Sequence, residues 1–168
     1  MVAYRLHLNV AKAAGYDMII VETAGIGQGD SRVVDLVDFS VYVMTAEYGA
    51  PSQLEKIDML DYADIVVVNK YEKKGSEDAL RDVRKQVQRN RKAWDKDPKD
   101  LPVFGTIASK FNDEGMTALY HGIIEQINAK SPLALKATLT KPEEKYSTSK
   151  TIVIPSERIR YLSEISDT

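Results

Sequence analysis

Residues 64–72 read DIVVVNKYE: four β-branched apolar residues open onto an Asn-Lys pair and then a carboxylate. A run this rich in Val and Ile, short and closed by polar residues, predicts a buried strand over 65–68 with its loop at the carboxyl end. Working outward, residues 16–30, YDMIIVETAGIGQGD, repeat the design, with an apolar run at 18–21 entering a glycine-rich polar loop. Two further strands are predicted over 41–44 and 101–107. Between them the apolar spacing changes to that of helices. Residues 4–14 carry Leu6, Val10, Ala11 and Ala14 before Gly15, residues 52–60 carry Leu54, Ile57, Met59 and Leu60, and residues 117–129 carry Leu119, Ile123, Ile124 and Ile127. Ser76 is expected to cap a long helix to about Trp94, with Glu77 and Asp78 in the first turn, where the helix dipole favours acids. Strands alternating with helical crossovers predict an α/β fold, a mostly parallel sheet with flanking helices.

The chain has 168 residues, a net charge of −2 and no cysteine. That length supports one domain plus a tail. The charge gives no reason to expect nucleic acid as a partner, and no apolar run is long enough to suggest a membrane partner. Without cysteine there is no disulfide, thiolate metal site or cysteine nucleophile. The opening residues lack the compact apolar block of a signal peptide, so the expected compartment is the cytoplasm. From 131 to 150 the composition shifts to Lys, Thr, Ser and Pro. The domain expectation is therefore a nucleotide-binding unit over 1–130 and a linker over 131–168.

The two strand-end loops resemble the metal/γ-phosphate loop and the guanine-reading loop of a P-loop GTPase. A γ-phosphate site needs an acid for Mg²⁺ and backbone that comes close to phosphate. Glu22 stands at a strand end for the metal, Thr23 adds a hydroxyl, and Gly25 has no Cβ to hold a phosphate away. Gln28 and Asp30 lie in the glycine-rich loop, placed to position water or a second metal. In the other loop, a carboxylate at Glu72 accepts from the ring N–H and the exocyclic amine of guanine, and adenine would leave it unpaired. Asn69 is expected to bond the base and tie neighbouring loops, the Lys70 stem to lie along the base, and Tyr71 to belong to the same loop. Ser109, in IASKF at the end of the fourth strand, would supply a third side of the pocket. No G-x-x-x-x-G-K-[ST] stretch occurs in the sequence, so nothing in it supplies the phosphate cradle.

The longer runs ETAGIGQGD, VYVMTAEYGAPSQLEKIDMLDYADIVVVNK, VFGTIASKFNDEGM and IPSERIRYLSEI resemble the G-protein domain of the fused isobutyryl-CoA mutases, relatives of the methylmalonyl-CoA mutase-associated GTPases. The resemblance covers nearly the whole chain. It implies a GTPase chaperone built into a cobalamin-dependent acyl-CoA mutase, with Mg²⁺ and GTP or GDP bound here and adenosylcobalamin bound elsewhere in a parent protein. It implies that Glu22 and Thr23 serve Mg²⁺, that Asn69 to Glu72 read guanine, and that Gln53 and Lys56 sit in a switch loop facing the mutase. The implied partners are the cobalamin-binding and mutase domains and an acyl-CoA substrate, in a homodimeric parent. The family's guanine motif ends in Asp, and here position 72 is Glu, so weaker guanine selectivity is expected unless the loop adjusts. The chain is expected to be a piece lacking the phosphate loop and incapable of efficient hydrolysis alone. Two alternatives stay open: a truncated free-standing GTPase chaperone, and a non-catalytic interaction module with a degenerate GTPase fold.

Two histidines, His7 and His121, stand on predicted helices without ligand-spaced partners, which favours solvated or packed roles. The basic stretch 81–92 is expected to be a solvated helix face, and Trp94 to close its helix against the core.

Overall fold

The computed structural model describes residues 2–23 and 32–148. In chain order they form α1 (Val2–Ala13), β1 (Val41–Thr45), α2 (Pro51–Leu54), α3 (Met59–Tyr62), β2 (Ile65–Asn69), α4 (Ser76–Asn90), β3 (Val103–Thr106) and α5 (Glu114–Lys130). The three strands make one parallel sheet in the order β1-β2-β3. Register pairs Val43 with Val67, and Val67 with Phe104. The expected α/β class with a parallel sheet and flanking helices is therefore what the chain forms.

The middle strand explains the layering. Alternate side chains of a strand leave by opposite faces. Val66 and Val68 pack with Leu54, Leu60, Leu80, Val83 and Val87, and Ile65 and Val67 pack with Phe104, Ala118 and Leu119. These four residues of β2, Ile65 to Val68, are at most 2% exposed. A strand buried on both faces needs the continuous β-branched run that DIVVVN provides. Each such side chain contributes about 1.5–3 kcal/mol by leaving water.

Four expectations change. Residues 18–21 are not a strand: Met18 and Ile20 are 58% and 85% exposed, because no described segment offers them a ladder of hydrogen bonds. Residues 52–60 are not one helix but α2 and α3. Leu54, Ile57 and Leu60 are all buried, and bonds from Ile57 N to the Leu54 carbonyl and from Leu60 N to the Ile57 carbonyl turn the chain every three residues. A spacing of three is met by tight turns as well as by a helix face. Ser76 does not cap α4. Gly75, at φ +85°, occupies that position, and the Ser76 hydroxyl donates to the Lys70 carbonyl at 3.3 Å. Finally α4 stops at Asn90, and Trp94 is 67% exposed rather than packed on the core.

Segment 131–148 runs back over the outside of α5. The Asn128 side chain pairs with Leu135 backbone, Lys141 with Glu125, and the Leu139 carbonyl lies 2.9 Å from His121 Nε2. His121 is thus a packed histidine. The segment ends beside β3, where Gly105 N donates to the Lys145 carbonyl and Ser147 N to the Gly105 carbonyl. Among the described residues, no helix is long and apolar enough to cross a membrane.

Candidate nucleotide-binding loops

In a parallel sheet every strand delivers its following loop to the same edge, the usual place for ligands in open α/β sheets. Here the loops after β1, β2 and β3 meet there and are cross-linked. The first two are joined by Glu47, which accepts from Thr45 Oγ1 at 2.5 Å and from Lys73 Nζ at 3.1 Å. Those two contacts, Thr45 first, hold the Glu47 carboxyl below its ordinary range. The second and third are joined by Asn69. Its Oδ1 accepts from the Thr106 hydroxyl and from the Ala108 amide, both at 3.2 Å. The expected tie between neighbouring loops is present, and it fixes the amide with Nδ2 left without an acceptor among the described residues.

Lys70 follows with φ +57°, a left-handed conformation that costs a residue with a Cβ about 1–2 kcal/mol. Its neighbours hold it there: Tyr71 N donates to the Thr106 carbonyl, and the Lys70 carbonyl accepts from Lys73 N and Ser76 Oγ. This kink turns Tyr71 inward and leaves Lys70 and Glu72 exposed. Tyr71 is 3% exposed and packs its ring 5.7 Å from that of Tyr146. Its side chain belongs to the core, and burial pushes its phenol up to about 12. Glu72 has no hydrogen-bond or ion-pair partner among the described residues.

The loop after β3 carries Ser109, exposed and beside Ala108, whose amide Asn69 holds. It lines a hollow of about 570 Å³ with Phe111, Met116 and Tyr120. What shapes this loop is Asp113, a residue the sequence reading passed over. It is 2% exposed; Oδ2 accepts from Ile107 N at 3.1 Å and from Met116 N at 2.9 Å, and Oδ1 accepts from Ser147 Oγ at 2.5 Å. One carboxylate therefore closes the loop, caps α5 and anchors the returning segment. The cap was legible, since an Asp before a helical run is a start signal. Ser147 carried no local signal, because its partner lies 34 residues away.

The remaining predicted residues stand apart. Gln53 and Lys56 are exposed, on α2 and just after it. No described contact ties Glu22, exposed, or Thr23, half-buried, to the three loops. Gly25, Gln28 and Asp30 lie outside the described residues. Among the described residues no group of three or more acidic or histidine side chains forms a protein cage for a metal. One carboxylate and one hydroxyl suit Mg²⁺ all the same, because its shell is largely water and substrate phosphate.

Comparison with known proteins places this geometry. Residues 2–155 match the family described as methylmalonyl Co-A mutase-associated GTPase MeaB. The chain is 54% identical over 161 residues to a fused isobutyryl-CoA mutase of Nocardia farcinica, and equally to that of Cupriavidus metallidurans. Each alignment covers 96% of this chain and 15% of the relative, so the chain spans about a seventh of their length. A shorter match, 39% identical over 61 residues, covers 36% of the chain and 18% of the GTPase ArgK of Escherichia coli. With three cross-linked loops at the carboxyl edge of a parallel sheet and a family match over most of its length, the chain belongs to the MeaB family of mutase-associated GTPases.

Proposed function

We propose that the loops after β2 and β3 form the base-reading end of a guanine-nucleotide site, in the GTPase part of a fused cobalamin-dependent acyl-CoA mutase. The observation that carries this reading is Asn69. Its oxygen is spent on Thr106 and Ala108, so its Nδ2 is left as a donor, three residues before the exposed Glu72, which has no partner among the described residues. A fixed donor and an unpaired carboxylate are what guanine needs, because it offers acceptors on one side and adjacent N–H donors on the other. Lys70 supplies an apolar stem beside the base, and Ser109 and its loop the opposite wall. Glu22 and Thr23 would hold Mg²⁺, which neutralises phosphate charge when bound. Gln53 and Lys56 belong to the surface facing the mutase and cobalamin domains. Segment 131–168 leads toward those domains. In the parent, GTP hydrolysis would serve cofactor loading and protection of a mutase interconverting isobutyryl-CoA and butyryl-CoA.

Binding of GDP, IDP and ADP to the 168-residue chain tests the base-reading part. IDP keeps the ring N–H and lacks the exocyclic amine. GDP should bind about tenfold tighter than IDP, a difference of about 1.4 kcal/mol, and ADP weakest. Glu72→Ala should erase the difference between GDP and IDP. Equal binding of ADP and GDP would overturn the reading, and so would a Glu72→Ala chain that still prefers GDP.

A further inference from the structure

Segment 131–168 reads as a linker in sequence, yet residues 145–148 reach both of the base-reading loops. They run parallel to β3, with Gly105 bridged to Tyr146. Gly105 has no room for a side chain: a Cβ there would come 2.8 Å from the Tyr71 ring and 2.9 Å from Tyr146. Tyr146 thus stands ring to ring against Tyr71, in the loop after β2. Ser147 donates to Asp113 Oδ1 at 2.5 Å, and the Thr148 amide donates to Glu114, the first residue of α5, at 3.1 Å.

Ser147 is 2% exposed, so its reach toward a nucleotide runs through Asp113. The other oxygen of that carboxylate accepts from the Ile107 amide at 3.1 Å, and the next amide, Ala108, donates to Asn69 Oδ1 at 3.2 Å. Two consecutive amides at the root of the third loop are therefore held by two side chains. One is tied to the returning segment, and the other is the donor proposed to read the base. Thr106 completes the frame, its hydroxyl donating to Asn69 Oδ1 and its carbonyl accepting from Tyr71 N. A displacement of Asp113 is passed to Asn69 within one residue of backbone.

On the base-reading role proposed above for Asn69, we infer that Ser147 is a positioning residue of the guanine site. Through Asp113 it sets the orientation of the Asn69 amide and the place of the Ser109 wall. Loss of the hydroxyl leaves Oδ1 of a buried carboxylate short of a donor. A carboxylate that turns to regain one lets go of Ile107 N or Met116 N. The donor is then no longer fixed before the base arrives, and binding has to order it.

The test compares the 168-residue chain with its Ser147→Ala variant, with GDP, IDP and ADP as probes. In the nucleotide-free variant the NMR signals of the Asn69 side-chain amide should shift and broaden, while those of Asn128, near the far end of α5, stay in place. GDP and IDP should each bind at least about threefold weaker. Their ratio should be kept, because Glu72 and not Asn69 reads the exocyclic amine. A loss of stability alone would move neither the Asn69 signals nor the affinity of the folded chain. Unmoved Asn69 signals would overturn the proposal, and so would GDP binding that weakens by less than about threefold. Should Ser147→Ala fail to fold, the wild-type chain decides. Coupling is reciprocal, so saturating GDP should slow hydrogen exchange at the Ile107 amide at least about threefold, and unchanged exchange sinks the proposal. A wild-type chain that prefers GDP over ADP while Ser147→Ala binds GDP unchanged defeats the role of Ser147 alone. A wild-type chain that binds ADP and GDP equally defeats the Asn69–Glu72 reading, and the role of Ser147 with it.

Discussion

Residues 18–21, MIIV, and residues 65–68, IVVV, are near twins in apolar character and opposite in fate. The second run lies between two paired strands with helices on both faces, and none of its residues exceeds 2% exposure. The first run pairs with nothing described, and Ile20 is 85% exposed. Intermediate in burial is β1, paired on one side only among the described residues. Met44 reaches the core, while Val41 and Val43, on the face that α5 covers for β2 and β3, are 36% and 57% exposed. Burial thus falls from β2 to β1 within the sheet, and residues 18–21 lie outside the sheet. An apolar run becomes a buried strand only where a neighbour takes its backbone bonds and another layer takes its side chains.

The sharpest way to break this contrast is to place the same charge in both runs. Val66→Asp should cost more than about 4 kcal/mol and leave the chain unfolded, because the carboxylate finds no partner in the core. Ile20→Asp should stay within about 0.5 kcal/mol. Urea unfolding of the two variants measures this, and comparable losses would mean that residues 18–21 are packed in solution.

The next test concerns how tightly the β3 side is sealed. A Cβ at Gly115 would come 2.0 Å from the Gly105 carbonyl oxygen, so Gly115→Ala should cost about 3 kcal/mol in thermal unfolding. Ser147→Ala should cost less, about 1–2 kcal/mol, by removing one bond from the buried Asp113 carboxylate. It should also speed hydrogen exchange at the Ile107 amide, which shares that carboxylate. Unchanged exchange there would show that the returning segment does not brace the loop.

The smallest effect is one of pH. Tyr71 is neutral in the fold, its pKa raised from 10.0 to about 12 chiefly by burial. Its contribution is whole below pH 10 and is lost as pH rises through 12, since the unfolded phenol ionises first. Tyr71→Phe keeps the ring and should flatten the loss of stability between pH 10 and 12. An unaltered slope would assign the alkaline loss to other groups.

Much of the fold and part of the site were legible in the residues themselves. The β-branched run at 65–68 announced a buried strand, Glu77 and Asp78 marked the start of α4, and Asn69 was expected to tie loops, as it does through Thr106 and Ala108. Tyr71 was grouped with the base-reading residues because it sits among them in sequence. The left-handed turn at Lys70 sends it to the core instead, and no local pattern announces such a turn at a lysine.

By itself, then, the sequence determined the fold class, the three strands of the sheet and the two long helices that flank it, because periodicity and residue type act over a few neighbours. Only the tertiary structure decided that Asp113 and Ser147 brace the third loop, that Arg84 is buried with no carboxylate in ion-pair distance among the described residues, and that one apolar run joins the sheet while its twin does not. Those outcomes depend on groups distant in the chain, and burial belongs to whatever the fold brings alongside.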